Sequence, residues 1–113
     1  MSHGKRRSDL VRGTLDLMIL RTLELRPLHG IAVADRIRQL TQGTFNVPAG
    51  SLFPALYRLE ERGWLTSMPG GGGTHPRAKL YKLTQAGRKQ IAAETASWSR
   101  VVKAIARVIE ETS

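Results

Sequence analysis

Cysteine is missing altogether from this chain of 113 residues, which excludes disulfides and thiolate metal sites and suits a reducing cytoplasm. Acid is scarce as well: nine Asp and Glu stand against eighteen Lys and Arg, a formal charge of +9. Such an excess favours a polyanionic partner, of which nucleic acid is the commonest and an anionic membrane the competitor. No apolar run approaches the ~20 residues that a membrane span requires. The basic residues near the start lead into no apolar segment with a cleavage site, so no signal peptide is expected. No internal repeat is visible. Enzyme chemistry finds little to stand on. His3, His29 and His75 lie in an arm, at a helix start and in a loop, and nothing ties them together. There is no metal-ligand spacing, nucleophile elbow or acid–base carboxylate pair, so no catalytic residue, metal or cofactor is expected. Asp35 beside Arg36 and Arg38 reads as a surface charge pair.

What is present is organised around residues 50–65, Gly-Ser-Leu-Phe-Pro-Ala-Leu-Tyr-Arg-Leu-Glu-Glu-Arg-Gly-Trp-Leu. On a helical wheel Leu52, Leu56 and Leu59 form one buried stripe. Phe53, Pro54 and Tyr57 fall opposite, flanked by Ser51 and Arg58. Two aromatics and a proline are odd choices for a merely solvated face. Proline has no N–H to give, so Pro54 is expected in the first turn of a helix that starts near Pro48–Ser51, with Ser51 as N-cap. Gly63 supplies the stop, and a strand begins at Trp64. A short helix with a buried leucine row and a shaped outer face, running into a strand, suits a winged helix-turn-helix, against the blander reading of an ordinary core helix with two stray aromatics.

Residues 1–11 carry Lys5-Arg6-Arg7 and read either as a frayed terminus or as a phosphate-contacting basic arm. A first helix is expected from about Arg12 to Leu25, with Leu15, Met18, Ile19 and Leu23 recurring, Leu17 and Leu20 widening the stripe, and Thr14 with Asp16 marking its start. Arg26-Pro27 ends it. A second helix, His29 to Thr41, is expected to bury Ile31, Ala34, Ile37 and Leu40 before Gly43. Two helices with a short glycine-containing turn give the helix-turn-helix layout. Strands are expected over Trp64–Met68 and Ala78–Leu83, joined by a glycine-rich loop. That loop is no phosphate loop, because no Gly-Lys-Ser/Thr follows it. From Trp64 to Ala93 there is no acidic residue, while Arg77, Lys79, Lys82, Arg88 and Lys89 are basic. A basic hairpin beside the shaped helix is a wing aimed at the phosphate backbone, against the blander reading of a solvated loop. Thr84 caps a last helix from Gln85 to about Glu111. Ile91, Trp98 and Ile105 recur there at heptad spacing, widened by Val101, Val102, Val108 and Ile109. At ~1.5 Å per residue this helix outreaches so small a domain, and its stripe needs a second surface, most simply its own copy. Trp98 suits either interface packing or the wall of a ligand pocket.

These fragments, in order, resemble the PadR family of bacterial transcriptional regulators in its short form with a single C-terminal helix. The likeness runs from Arg12 to about Ile109. It rests on Gly13-Thr14-Leu15-Asp16-Leu17, Leu28-His29-Gly30, Gly50-Ser51-Leu52-Phe53-Pro54-Ala55-Leu56 with Arg58-Leu59-Glu60, and Arg77-Ala78-Lys79-Leu80-Tyr81-Lys82-Leu83-Thr84 with Gly87. Phe53 stands where the family usually has tyrosine, Ile31 where an aromatic is common, and Leu80 in place of an aromatic. The resemblance implies a mainly α winged helix-turn-helix with a small β-hairpin and a long C-terminal helix. Residues 1–11 would form the arm, 12–84 the DNA-binding domain and 85–113 the dimerisation helix. It implies a cytoplasmic homodimeric repressor on a palindromic operator of double-stranded DNA, released in some members by a small apolar effector. DNA contacts carry over to Ser51, Phe53, Pro54, Tyr57 and Arg58, and in the wing to Thr74, His75, Arg77 and Lys79. The dimer contact is expected from Ile91, Trp98, Val101, Val102, Ile105 and Ile109. Where an effector exists, its pocket falls to Leu15, Met18 and Trp98. Two other functions compete. A protein–protein adaptor would show no counterion release on duplex DNA, and an RNA-binding winged domain would prefer single-stranded or A-form targets.

Overall fold

The leucine row sets the centre of the molecule. In a computed structural model, which describes residues 3–69 and 79–112, Leu52, Leu56 and Leu59 are fully buried. Seven elements surround them: α1 (His3–Thr22), β1 (Leu28–His29), α2 (Gly30–Leu40), α3 (Ala49–Glu61), β2 (Leu65–Pro69), β3 (Lys79–Leu83) and α4 (Gln85–Thr112). The molecule is mainly helical with a small antiparallel sheet in the order β1-β3-β2. This is the winged helix-turn-helix with a long last helix that the sequence implies. The sheet has one strand more than expected, since Leu28 pairs with Tyr81 and His29 with Leu80. On the other side β3 pairs with β2 from Leu65↔Leu83 to Pro69↔Lys79.

Several local expectations need correction. Helix α1 begins at His3 and runs through the stretch expected as an arm, so Thr14 and Asp16 lie in mid-helix. It also stops at Thr22, short of Arg26-Pro27. In α2 the buried residues are Gly30, Val33 and Ile37, whereas Ile31 and Leu40 are exposed. The expected set steps by three residues. At ~100° per residue, Ile31 and Leu40 end half a turn apart, on opposite flanks of the buried face.

Helix α3 is capped by Pro48 and has no side-chain cap, so Ser51 is a helical residue rather than the N-cap. Pro54 therefore sits in the second turn, where it denies the Gly50 carbonyl its usual N–H donor. A proline inside a helix costs about 3 kcal/mol, while burying three leucines contributes roughly 5–9 kcal/mol. The leucine row wins. Gly63, at φ +79, ends the helix in the left-handed conformation that glycine permits.

The core joins that row to Ile19 and Leu20 of α1 and Leu23 just past its end, Val33 and Ile37 of α2, Leu65, Tyr81 and Leu83 of the sheet, and Ile91 of α4. Helix α4 is tied to the sheet at its first turn. Thr84 Oγ1 accepts from the Gly87 N–H at 3.0 Å and donates to the Gly63 carbonyl at 2.6 Å, the N-cap expected of it. Gly87 packs so closely that a Cβ there would stand 2.2 Å from the Trp64 carbonyl oxygen. Among the described residues no helix is long and apolar enough to cross a membrane.

Candidate nucleic-acid interface

One side of α3 is spent on the leucine core; the other is presented outward by the same periodicity. Ser51 and Pro54 are exposed, and Tyr57 is 51% exposed. Phe53 differs from them. Its ring is half-buried and packs on the core, and a Cβ at Gly30 would stand 3.1 Å from its edge. Phe53 thus sets the spacing of α2 against α3, and glycine at position 30 makes room for it.

Arg58 departs furthest from expectation. Its guanidinium turns inward, where Nη2 donates to the carboxylate of Asp16 in α1. The Asp16 side chain is 6% exposed and that of Arg58 24%. Burial pushes the Asp16 carboxyl above its ordinary range, while the hydrogen bond and charge of Arg58 pull it back. The pair bolts the candidate recognition helix to α1, so Arg58 is placed as a brace between helices rather than on the outer face with Tyr57. Sequence gave no pointer to it, because its partner lies 42 residues away.

Of the wing residues, Thr74, His75 and Arg77 lie outside the described residues. Lys79 opens β3, half-buried, with its Nζ 5.7 Å from the centroid of the Tyr57 ring. Its carbonyl accepts a hydrogen bond from His29 Nδ1 at 3.3 Å, which puts the imidazole proton on that nitrogen. A second tie runs from Ser67 Oγ of β2 to Glu60 Oε2 of α3 at 2.6 Å. The first fixes the root of the wing to β1, the second to α3. Tyr81, beneath them, has its phenol pushed above the ordinary range by burial, then by Glu60 and Tyr57.

The expected dimer residues divide. Ile91 is 5% exposed and belongs to the core of its own domain, not to an outward face. It lies in the second turn of α4, the helix that packs on α1. Val101 is half-buried, whereas Trp98, Val102, Ile105 and Ile109 are exposed. Leu15, Met18 and Trp98 do come together. They line an apolar groove of about 340 Å³, completed by Thr14, Phe45, Asn46, Val47, Pro48 and Ser51. Its lining therefore includes Pro48 at the cap of α3 and Ser51 in its first turn, which sequence reasoning missed. Among the described residues no group of acidic or histidine side chains is placed to hold a metal.

The model of the transcriptional regulator PadR-like family matches residues 19–93. A transcriptional regulator of Clostridium thermocellum is similar in structure, with a TM-score of 0.79 and 27% identity over 88% of this chain and 96% of its own. A PadR family regulator of Eggerthella lenta gives a TM-score of 0.73 at 29% identity, over 95% and 91% of the two chains. In sequence, the Lysinibacillus sphaericus protein called protein X is 26% identical over 99 residues, 88% of this chain and 91% of its own length.

Proposed function

The chain belongs to the PadR-like family of transcriptional regulators, and from that membership we propose that it represses transcription as a homodimer on a palindromic operator. It is a DNA-binding regulator, not an enzyme. In the proposal α3 enters the major groove and the wing lies on the phosphate backbone. The observation that carries it is the exposed outer side of α3, with Tyr57 beside the Lys79 ammonium on a chain of net charge +9. Ser51 and Tyr57 supply neutral hydrogen-bonding groups there, and Pro54 an apolar contact for a thymine methyl. Arg77, Thr74 and His75 are assigned to the backbone with Lys79.

The second copy is assigned to the exposed Trp98, Val102, Ile105 and Ile109 of α4, which a partner helix would cover. The groove at Leu15, Met18 and Trp98 is assigned to a small apolar effector, in the cytoplasm. Its contact with Pro48 and Ser51 supports the assignment, since an occupant there bears on the start of α3. Genome-wide occupancy of the tagged protein, with transcript levels in a deletion strain, tests the whole reading. Expected are a few sites sharing an inverted repeat and raised transcription beside them on deletion. Occupancy of RNA, or recovery with an acidic protein and no duplex binding at any salt concentration, would replace it with the corresponding alternative.

A further inference from the structure

Side chains of a strand alternate between its faces, so Lys79 shares a face with Tyr81 and Leu83. Those two are buried against the helices. Lys79 is thereby directed to the helix side of the sheet, opposite to Leu80 and Lys82. An ammonium at the end of a core-facing row cannot enter the core without a large desolvation cost. It meets instead the ring of Tyr57, at 5.7 Å from the centroid, within the ~6 Å reach of a cation–π attraction. The backbone of Lys79 is held from both sides, by its pairing with Pro69 and by the His29 hydrogen bond. Tyr57 is as firmly placed, one residue from the buried Leu56 on a helix bolted to α1.

We propose that Tyr57 is a positioning residue for Lys79. Its ring holds the ammonium where α3 meets the root of the wing, so that helix and wing present one prearranged cation to a phosphate. This rests on the DNA-binding reading. A free lysine loses rotamer freedom when it grips a phosphate; here that ordering precedes the encounter, which lowers its cost. The attraction comes from the ring face and not from the hydroxyl, so phenylalanine keeps the hold on Lys79 and leucine does not.

The test uses the full chain and a 30-base-pair duplex of random sequence, with binding followed against salt. Lys79→Ala should lose about 0.9 of the logarithmic salt slope, one phosphate's share. Tyr57→Leu should weaken binding about two- to fivefold at fixed salt, the worth of an exposed cation–π contact. In Tyr57→Phe, Lys79→Ala should cost as much as in the wild type, whatever the hydroxyl itself contributes to binding. Adding Lys79→Ala to Tyr57→Leu should cost clearly less than Lys79→Ala alone. In the free protein, the Lys79 ε-methylene protons should be shifted upfield by the ring current, with Tyr57→Phe keeping the shift and Tyr57→Leu losing it. If Tyr57→Leu melts early, Lys79→Ala reads the pair from the other side: the Tyr57 ring resonances move if the contact exists. Wild-type affinity in Tyr57→Leu, equal costs of Lys79→Ala in the wild type and Tyr57→Leu, or a Tyr57→Phe variant in which Lys79→Ala costs no more than in Tyr57→Leu would each overturn the inference. A wild type that binds duplex with no salt dependence, or not at all, overturns the DNA-binding reading itself.

Discussion

Two ions in a protein interior cost more to desolvate than they return unless each has a partner, so removing one is worse than never having had either. Asp16 and Arg58 stand in that relation. Asp16→Ala should lower stability by about 2–3 kcal/mol, short of the ~3–5 kcal/mol of a wholly buried pair because Arg58 can reach water. A denaturant titration measures it, and an Asp16→Leu/Arg58→Met double variant should recover part of the loss. The pH dependence has an unusual sign. Burial raises the folded-state pKa of Asp16 above the ordinary carboxylate value of 3.8, so between the two values the folded chain holds more protons. Its contribution is complete below the unfolded value and is lost as pH rises through the folded one. The stability of the wild type relative to Asp16→Asn should therefore increase as pH falls from 7 toward 4. A decrease would mean that Arg58 outweighs burial. Gly87→Ala sets a new Cβ against the Trp64 carbonyl, and about 1–3 kcal/mol or more should be lost to that overlap in a melting experiment.

Among the elements, those with a strong period were legible from sequence. The leucine row of α3, the alternation of Tyr81 and Leu83, and the cap and length of α4 all follow from residue spacing alone. Strand β1 was not: two residues carry no period, and their pairing with β3 joins positions about fifty apart. The interface was half legible. Tyr57 falls outward as its wheel position implies, but the wheel could not tell that Phe53 leans on Gly30 or that Arg58 turns in to Asp16. In α4 a single apolar stripe serves two purposes, and nothing in its spacing marks where the domain's own core, at Ile91, gives way to the exposed part from Trp98 onward. The exposed part supports a prediction at this scale. Val102→Asp with Ile105→Asp, both distant from the core, should leave the fold intact and convert a dimer to a monomer in sedimentation experiments, as like charges would face each other across the axis. A double variant that stays dimeric moves the interface elsewhere.

For the whole molecule, the proposed two-fold assembly would carry two copies of α3. Helix-turn-helix dimers reach half-sites about one helical turn, ~34–36 Å, apart. Nuclease protection on a recovered operator should show two symmetry-related protected blocks at that spacing. Inserting five base pairs between the half-sites should abolish specific binding, because it rotates one of them to the far side of the duplex; undiminished binding would argue for a monomer on DNA. In that assembly the spacing would depend on the course of α4. Of its 28 residues, those as far as Val101 lie along α1, and about 16 Å of helix extends beyond that point. The geometry is that of a lever with a long braced arm and a short free one. Each degree of tilt beyond the brace displaces the distal end by about 0.3 Å, so roughly twelve degrees there would be needed to cover the ~3.4 Å rise of one base pair.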